Sequence, residues 1–409
     1  MIPSTKLEGD AKKIVTNTFD TLAIPDKYND INLKPRELDL SDITVTQAEI
    51  DAASNAGAKK KSGFGKFMKG MAAAATGSAG TGGKGDDATN IAKLLKYFKE
   101  KKVANQLIGK WYNESATPGA NGYCFNYDRI GQLGILSASE EEKAMAELDK
   151  LGKNKIMDAA ADELIPNTFI MVTYYGFLSS DEIIDMILAD KAGGVGGADL
   201  LAQTLKAVIK GYFVKTTSYL FQLEWNKDIR VNFENKYYAT KDTKAFDASD
   251  EYTIKYVGKT WDFAPATMQL TTKSDASAKL ISRATVRATD GSIAKLQKKY
   301  DVFKTLSTVH VDGDKIYAYI GKKEGLDNGD KFEVLEQVIN EDGTTTYNKV
   351  TTIKVAKDKV WDNRAGAGEK LEGEASTKED KGIDPNAKYT EFDGSAKKIM
   401  DGMFIKQTK

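Results

Sequence analysis

Thr168-Phe169-Ile170-Met171-Val172-Thr173-Tyr174-Tyr175 is an unbroken run of β-branched and aromatic side chains, the composition of a buried strand. Ser179-Ser180-Asp181-Glu182 follows, a capping box with serine at the N-cap and glutamate at N3, ahead of Ile183, Ile184, Ile187 and Leu188. A second helix is expected over Ala198–Ile209. Gly211–Trp225 then alternates, placing Phe213, Tyr219, Phe221, Leu223 and Trp225 on one face and Thr216, Ser218, Gln222 and Glu224 on the other. The aromatic face reads as core; stacking on sugar rings is its alternative use. The order strand, helix, helix, strand predicts an α/β or α+β domain over about 100–265, drawn as an α/β domain with boundaries at 91–275.

Toward the N-terminus, Ile91, Leu94, Leu95 and Phe98, then Val103, Leu107, Ile108 and Trp111, recur at helical spacing over 88–112. Residues 1–51 combine a helix over 6–21, carrying Leu7, Ile14, Val15, Phe19 and Leu22 and stopped by Pro25, with an extended polar stretch over 26–50. Residues 52–90 differ in kind. The tract Gly57–Gly85 holds Lys59, Lys60, Lys61, Lys66, Lys69 and Lys84 with no acid, and Phe64, Phe67, Met68 and Met71 lie among the lysines. It reads as a flexible loop, since so little apolar surface cannot offset the entropy of ordering it. Lys59, Lys60, Lys61, Phe64, Lys66, Phe67 and Lys69 are the candidate interaction residues, with contact to an anionic membrane surface through 59–71 as one use. A further helix is expected over 139–160.

Toward the C-terminus, 279–287 reads as a strand, and Thr289 or Asp290 caps a short helix to Tyr300. From Asp301 the pattern turns to β, with strands expected at 302–310, 315–320, 331–339, 344–355 and 358–361, a polar loop over 362–395, and a last strand at 402–405. Gly325–Gly329 and Asp342-Gly343 supply turns. Strands at this spacing predict a small barrel over 276–409.

The chain has 409 residues, enough for more than one domain, and its 59 basic residues balance 59 acidic ones. That balance argues against a protein built to grip a phosphate backbone, so no nucleic acid is expected. The lone Cys124 cannot form an internal disulfide or a Cys-rich zinc site. The lone His310 leaves no histidine cluster, and it is the sole route to a Ser-His-Asp site. It sits in a strand-like run, Ser307–Val311, and no nucleophile-elbow pattern occurs in the chain, so a structural role is expected. No apolar run reaches the roughly 18 residues of a membrane-spanning helix. The opening Met1-Ile2-Pro3-Ser4-Thr5 reads as a junction, compatible with a mature secreted chain and with a cytoplasmic one.

Three motifs imitate chemistry. Gly193-Gly194-Val195-Gly196-Gly197 lacks the spacing and the preceding strand of a dinucleotide loop. Asp312-Gly313-Asp314 and Asp327-Asn328-Gly329-Asp330 lack the ligand pattern of a calcium loop and fall where hairpins turn. Asp181, Glu182 and Asp185 are acids that the helix dipole favours near an N-terminus. No cofactor is expected.

Two stretches carry resemblances. Ala104–Leu107, Lys110–Asn113 and Glu163–Phe169 resemble uncharacterised cell-envelope proteins of Bacteroides-type bacteria. Ile316–Val334 with Trp361-Asp362-Asn363-Arg364 is similar to the SH3-like barrel that closes flagellar assembly protein T. These resemblances imply a periplasmic or cell-surface scaffold and supply no catalytic residue. The expected architecture is thus α+β and multi-domain, a central α/β domain plus a C-terminal small SH3-like β-barrel. The expected role is non-enzymatic, in assembly or adhesion through a protein partner in the envelope. A hydrolase built on carboxylates or Ser/Thr, and a carbohydrate- or peptide-binding module, are the alternatives.

Overall fold

The computed structural model of the chain describes residues 1–3, 9–22, 31, 33, 36–58, 84–113, 125–126, 129–130, 162, 164–191, 212–266, 274–339, 345–369 and 387–408. The expected helices at 139–160 and 198–209, the glycine run at 193–197 and Cys124 lie outside the described residues. Among the described residues the fold is α+β, with two sheets. In the first, β1 (Ile2–Pro3), β2 (Phe169–Ser179), β3 (Tyr212–Leu223) and β4 (Ile254–Pro265) lie in chain order. β2 and β3 pair antiparallel from Phe169↔Gln222 to Ser179↔Tyr212, β4 adds antiparallel, and the short β1 is parallel to β2. This corrects the expected α/β domain: alternation marks a strand but does not encode its direction, and the three long strands form an antiparallel sheet.

Both faces of that sheet are covered. Tyr219, Phe221 and Leu223 pack against α3 (Lys84–Glu100) and α4 (Val103–Trp111), through Leu94, Phe98, Leu107 and Ile108. Trp225, Phe233, Phe246 and Tyr252 extend this core into an aromatic cluster. α2 (Gln47–Ala58) packs on α3. The opposite face of β3, polar in sequence, is equally buried: Thr216 and Ser218 have 0% exposure. It lies under one continuous helix, α8 (Ser274–Lys299). α1 (Gly9–Thr21) packs alongside α8, placing Val15 near Ile281 and Ala284.

Two expectations fall here. Residues 279–287 are helical, not a strand: the β-branched Thr285 and Thr289 turn their hydroxyls back onto the carbonyls of Ile281 and Thr285, at 2.8 and 2.7 Å. Burial of the good helix formers Leu280, Ala284, Ala288 and Leu296 along one stripe overrides the strand propensity of the β-branched residues between them. The stretch 52–90 expected as a flexible loop overlaps two helices, since α2 runs to Ala58 and α3 begins at Lys84; residues 59–83 lie outside the described residues. Thr46 and Glu49 form a capping box for α2: the Thr46 amide donates to Glu49 Oε2 at 2.6 Å, and the Glu49 amide to Thr46 Oγ1 at 3.3 Å. The remaining α5 (Ser180–Lys191), α6 (Lys227–Phe233) and α7 (Thr243–Ala248) surround the sheet's ends. The expected box at α5 is present, with Ser179 N donating to Glu182 Oε2 at 2.9 Å.

The outer edge of β4 is blunted by side chains from the end of α8. The Tyr300 hydroxyl accepts from the Lys259 amide at 3.0 Å and donates to its carbonyl at 3.2 Å, while Lys295 donates to the Trp261 carbonyl. Gly258 makes room for that ring, since a Cβ there would lie 2.0 Å from Tyr300 Cζ.

The second sheet has seven strands in the order β5-β11-β8-β9-β10-β7-β6 and nearly closes into a barrel. They are β5 (Ser307–Thr308), β6 (His310–Asp312), β7 (Lys315–Ala318), β8 (Lys331–Ile339), β9 (Thr345–Val355), β10 (Thr390–Asp393) and β11 (Phe404–Gln407). The expected strand at 302–310 is instead a short 3-10 turn, Asp301–Phe303, followed by two short strands that bend at Val309. Val309 holds both ends of the sheet together: its amide donates to the Met403 carbonyl at 2.8 Å and its carbonyl accepts from Gly402 at 3.0 Å. Residues 358–361 form no strand, and β10 lies inside the stretch expected as loop. Val309, Ile316, Phe332, Val334, Ile353 and Ile405 fill the interior.

The Gly321–Asp330 and Trp361–Arg364 motifs meet in one lock. Glu324 Oε2 accepts from Gly321 N and Asn363 Nδ2, both at 2.8 Å, and Asn363 Oδ1 accepts from Lys323 N at 2.8 Å. Arg364 forks onto Asp362 at 2.9 and 2.7 Å. Burial pushes the Asp362 carboxyl up, and the Arg364 guanidinium more than offsets this, leaving it below its usual range. A Cβ on Gly321 would lie 2.2 Å from the Trp361 carbonyl oxygen, a backbone atom that cannot turn aside. Gly321→Ala is therefore expected to lower stability by about 1–3 kcal/mol, read as a reduced urea midpoint at constant m-value.

Candidate functional site

The aromatic face singled out on β3 is core: Phe213, Tyr219, Phe221, Leu223 and Trp225 are all buried, so it offers no ring to a sugar. Asn105, Trp111 and Tyr112, which carry part of the first resemblance, are interior as well. Asn105 donates to the Phe246 carbonyl at 2.6 Å, and Trp111 Nε1 to Thr168 Oγ1 at 2.9 Å. The candidate interaction residues Lys59, Lys60, Lys61, Phe64, Lys66, Phe67 and Lys69 lie outside the described residues.

The acidic motifs serve turns and caps. Asp330 Oδ2 accepts from the Asp327 amide at 3.0 Å and pairs with Lys298 at 3.1 Å, while Asp327 pairs with Lys322. Asp312-Gly313-Asp314 forms the turn between β6 and β7, with Gly313 at φ 60°. Among the described residues no group of three or more His, Cys, Asp or Glu side chains is placed to hold a metal ion, and no helix is long and apolar enough to cross a membrane.

A buried ionic group joins α3 to the sheet. The Tyr219 hydroxyl donates to Asp87 Oδ1 at 2.7 Å, the Lys259 ammonium bonds Oδ2, and Tyr174 packs edge-on to Tyr219 at 5.6 Å. Carboxylate, ammonium and phenol satisfy one another, the arrangement of an anchor for the start of α3. A cleft of about 40 Å³ opens between α8 and one end of the barrel, lined in part by Gln297, Lys304, Glu324, Phe332 and Gln407. It has room for a few waters, well short of the roughly 300 Å³ of a small-molecule pocket.

Among the described residues, a cluster of partly exposed rings lies on the barrel. Along β7, Ile316 and Ala318 point inward, and Tyr317 takes the opposite face. Tyr319, just beyond the strand, is 58% exposed. The pairing sets His310 of β6 opposite Tyr317, Asp312 opposite Lys315, and Glu391 of β10 on the other side of Tyr317. Four rings gather here. His310 stacks on Tyr317 at 5.5 Å and meets Tyr319 edge-on at 5.3 Å, and Tyr389 lies 4.7 Å from Tyr317. Lys315 seats its ammonium 4.4 Å over the Tyr389 ring, bonds that ring's hydroxyl, and pairs with Glu391 at 3.1 Å.

Asp401, in the turn before β11, completes the face. Its Oδ1 lies 3.2 Å from His310 Nδ1 and accepts from the Val311 amide at 3.0 Å. Its neighbour Met400 is 60% exposed. Packing against neighbouring side chains, then Tyr319, Asp401 and Asp312, push the Tyr317 phenol above its ordinary pKa. Chemically the face offers π surfaces, one imidazole and a carboxylate. The alternation Ile316-Tyr317-Ala318-Tyr319-Ile320 carried the signal for it, but the stretch attracted notice for its turn glycines; Tyr389 fell in the expected loop.

Burial pushes the Tyr174, Tyr175, Tyr219, Tyr252 and Tyr256 phenols well above the ordinary tyrosine value. Above about pH 10 the unfolded chain releases these protons while the folded chain keeps them. Stability is accordingly fully present below that pH and falls above it, by up to about 1.4 kcal/mol per pH unit for each such phenol. Urea titrations from neutral to alkaline pH are expected to show this fall, and Tyr219→Phe to make it shallower.

No protein-family model matches the chain, and no curated protein matches it in sequence.

Proposed function

We propose that this chain is a non-enzymatic scaffold of the cell envelope, periplasmic or at the cell surface, working in assembly or adhesion by docking a protein partner on its barrel. The same proposal includes an SH3-like character for the barrel, a multi-domain organisation, and membrane-surface contact through 59–71. One observation carries it. The outer face of β6, β7 and β10 leaves a contiguous, preorganised cluster of partly exposed rings, the kind of surface that marks an interaction site. Aromatic residues are over-represented at interface hot spots because they desolvate a large area at low entropy cost.

The test is site-specific photo-crosslinking in the intact native cell. A photoreactive residue at position 319 is expected to give one discrete protein adduct, lost when Tyr317→Ser is added. The same residue at the exposed position 227, at the start of α6, is expected to give no such adduct. Identical adduct patterns from both positions, or no adduct at 319, would remove the docking reading.

A further inference from the structure

The barrel face already seats one cation. Lys315 lies over the Tyr389 ring, showing that this cluster accepts an ammonium on a π surface. That cation and Lys359 are both engaged with Glu391, at 3.1 and 3.7 Å. Two acids remain on the side of the imidazole. Asp312 stands opposite Lys315 on the neighbouring strand, and the Asp401 side chain, 65% exposed, is held beside His310 and the Val311 amide. Tyr319 and Asp401 both contact His310, and Tyr319 is the most exposed of the three tyrosines. Its neighbours fix it from one side, since His310 meets it edge-on at 5.3 Å and Tyr317 at 5.9 Å, nearly perpendicular at 87°. An exposed π face beside an exposed carboxylate suits a positive side chain better than a neutral or acidic one: the ring quadrupole and the carboxylate attract the same charge.

We propose that this face takes a lysine- or arginine-bearing segment of its protein partner, with the cation seated on the Tyr319 ring beside Asp401. The inference rests on the reading of this face as the docking surface and names the chemistry of what docks. It also gives His310 a positioning role. By contacting Tyr317, Tyr319 and Asp401 together, it holds the ring and the carboxylate in one geometry.

The experiment uses the full chain and three fluorescent peptides of alternating glycine with lysine, glutamine or glutamate, followed by anisotropy. The lysine peptide is expected to bind and the other two not. Lysine peptides adhere to acidic surfaces generally, so the deciding variants hold charge constant. Tyr319→Phe keeps the π face and is expected to bind like the parent, whereas Tyr319→Leu keeps apolar bulk and is expected to bind about two- to fivefold more weakly. Asp401→Asn is expected to weaken binding and flatten its salt dependence. Equal binding by the Leu and Phe variants, or by the glutamine peptide, would overturn the proposal, as would binding of neutral oligosaccharides but no peptide. A discrete adduct from position 319 together with any of these three results leaves the docking reading intact and removes only the cationic partner. Thermal melts of each variant verify that the barrel is folded.

Discussion

The closeness with which α8 lies on the sheet sets how the first sheet and the barrel meet. Ala284, Ala288 and Ser292 fall four residues apart on the face turned to β3, so the helix backbone comes near enough for hydroxyl-to-hydroxyl contact. Thr216 Oγ1 bonds Ser292 Oγ at 2.7 Å, and the Tyr175 hydroxyl bonds Thr289 Oγ1 at 2.6 Å. These bonds let polar groups be buried without the cost of leaving them unsatisfied. The same helix then reaches the barrel from its other sides. Arg287 Nε donates to the Ala365 carbonyl at 2.9 Å, Arg283 to Glu369 at 3.1 Å, and Lys298 pairs with Asp330. A bulkier side chain in the seam would lift the helix from the sheet and shift the barrel with it.

Much of the architecture was legible because it follows from local pattern. The strand at Thr168–Tyr175, the capping box at Ser179–Glu182, the helices over 88–112 and the hairpin of β8 and β9 each follow from periodicity or turn chemistry within a few residues. The readings that failed needed knowledge of a distant partner. Thr285 and Thr289 look strand-like until the sheet that buries them is known. The polar face of β3 looks solvated until α8 covers it. β10 is short, and its role depends on pairing with β7 and β9, both remote in sequence.

The two aromatic sets make the same point about function. Tyr219, Phe221 and Leu223 on β3 and Tyr317 with Tyr319 on and beside β7 alternate in the same way. Only tertiary packing decides that the first set meets α3 and α4 and becomes interior, while the second meets water. Sequence alone therefore nominates an aromatic strand without saying whether its rings face inward. The glycine-turn motif is structural: Gly321, Glu324, Asn363 and Asp362 are consumed in holding two loops together.

The order of strands in the barrel also bears on how the chain can be made. β11 lies between β5 and β8, so the sheet has a gap on that side until Phe404–Gln407 has been synthesised. A ribosome delivers β5, β6 and β7 long before that segment emerges. Until it does, β8 has no neighbour on one flank, and Val334 and Leu335 stand uncovered beside an open row of amides and carbonyls. The sheet around β2 and β3, complete by Pro265, can form while translation continues. Vectorial synthesis thus separates the two halves in time, and the interval before β11 arrives is when a holdase chaperone has an edge to protect.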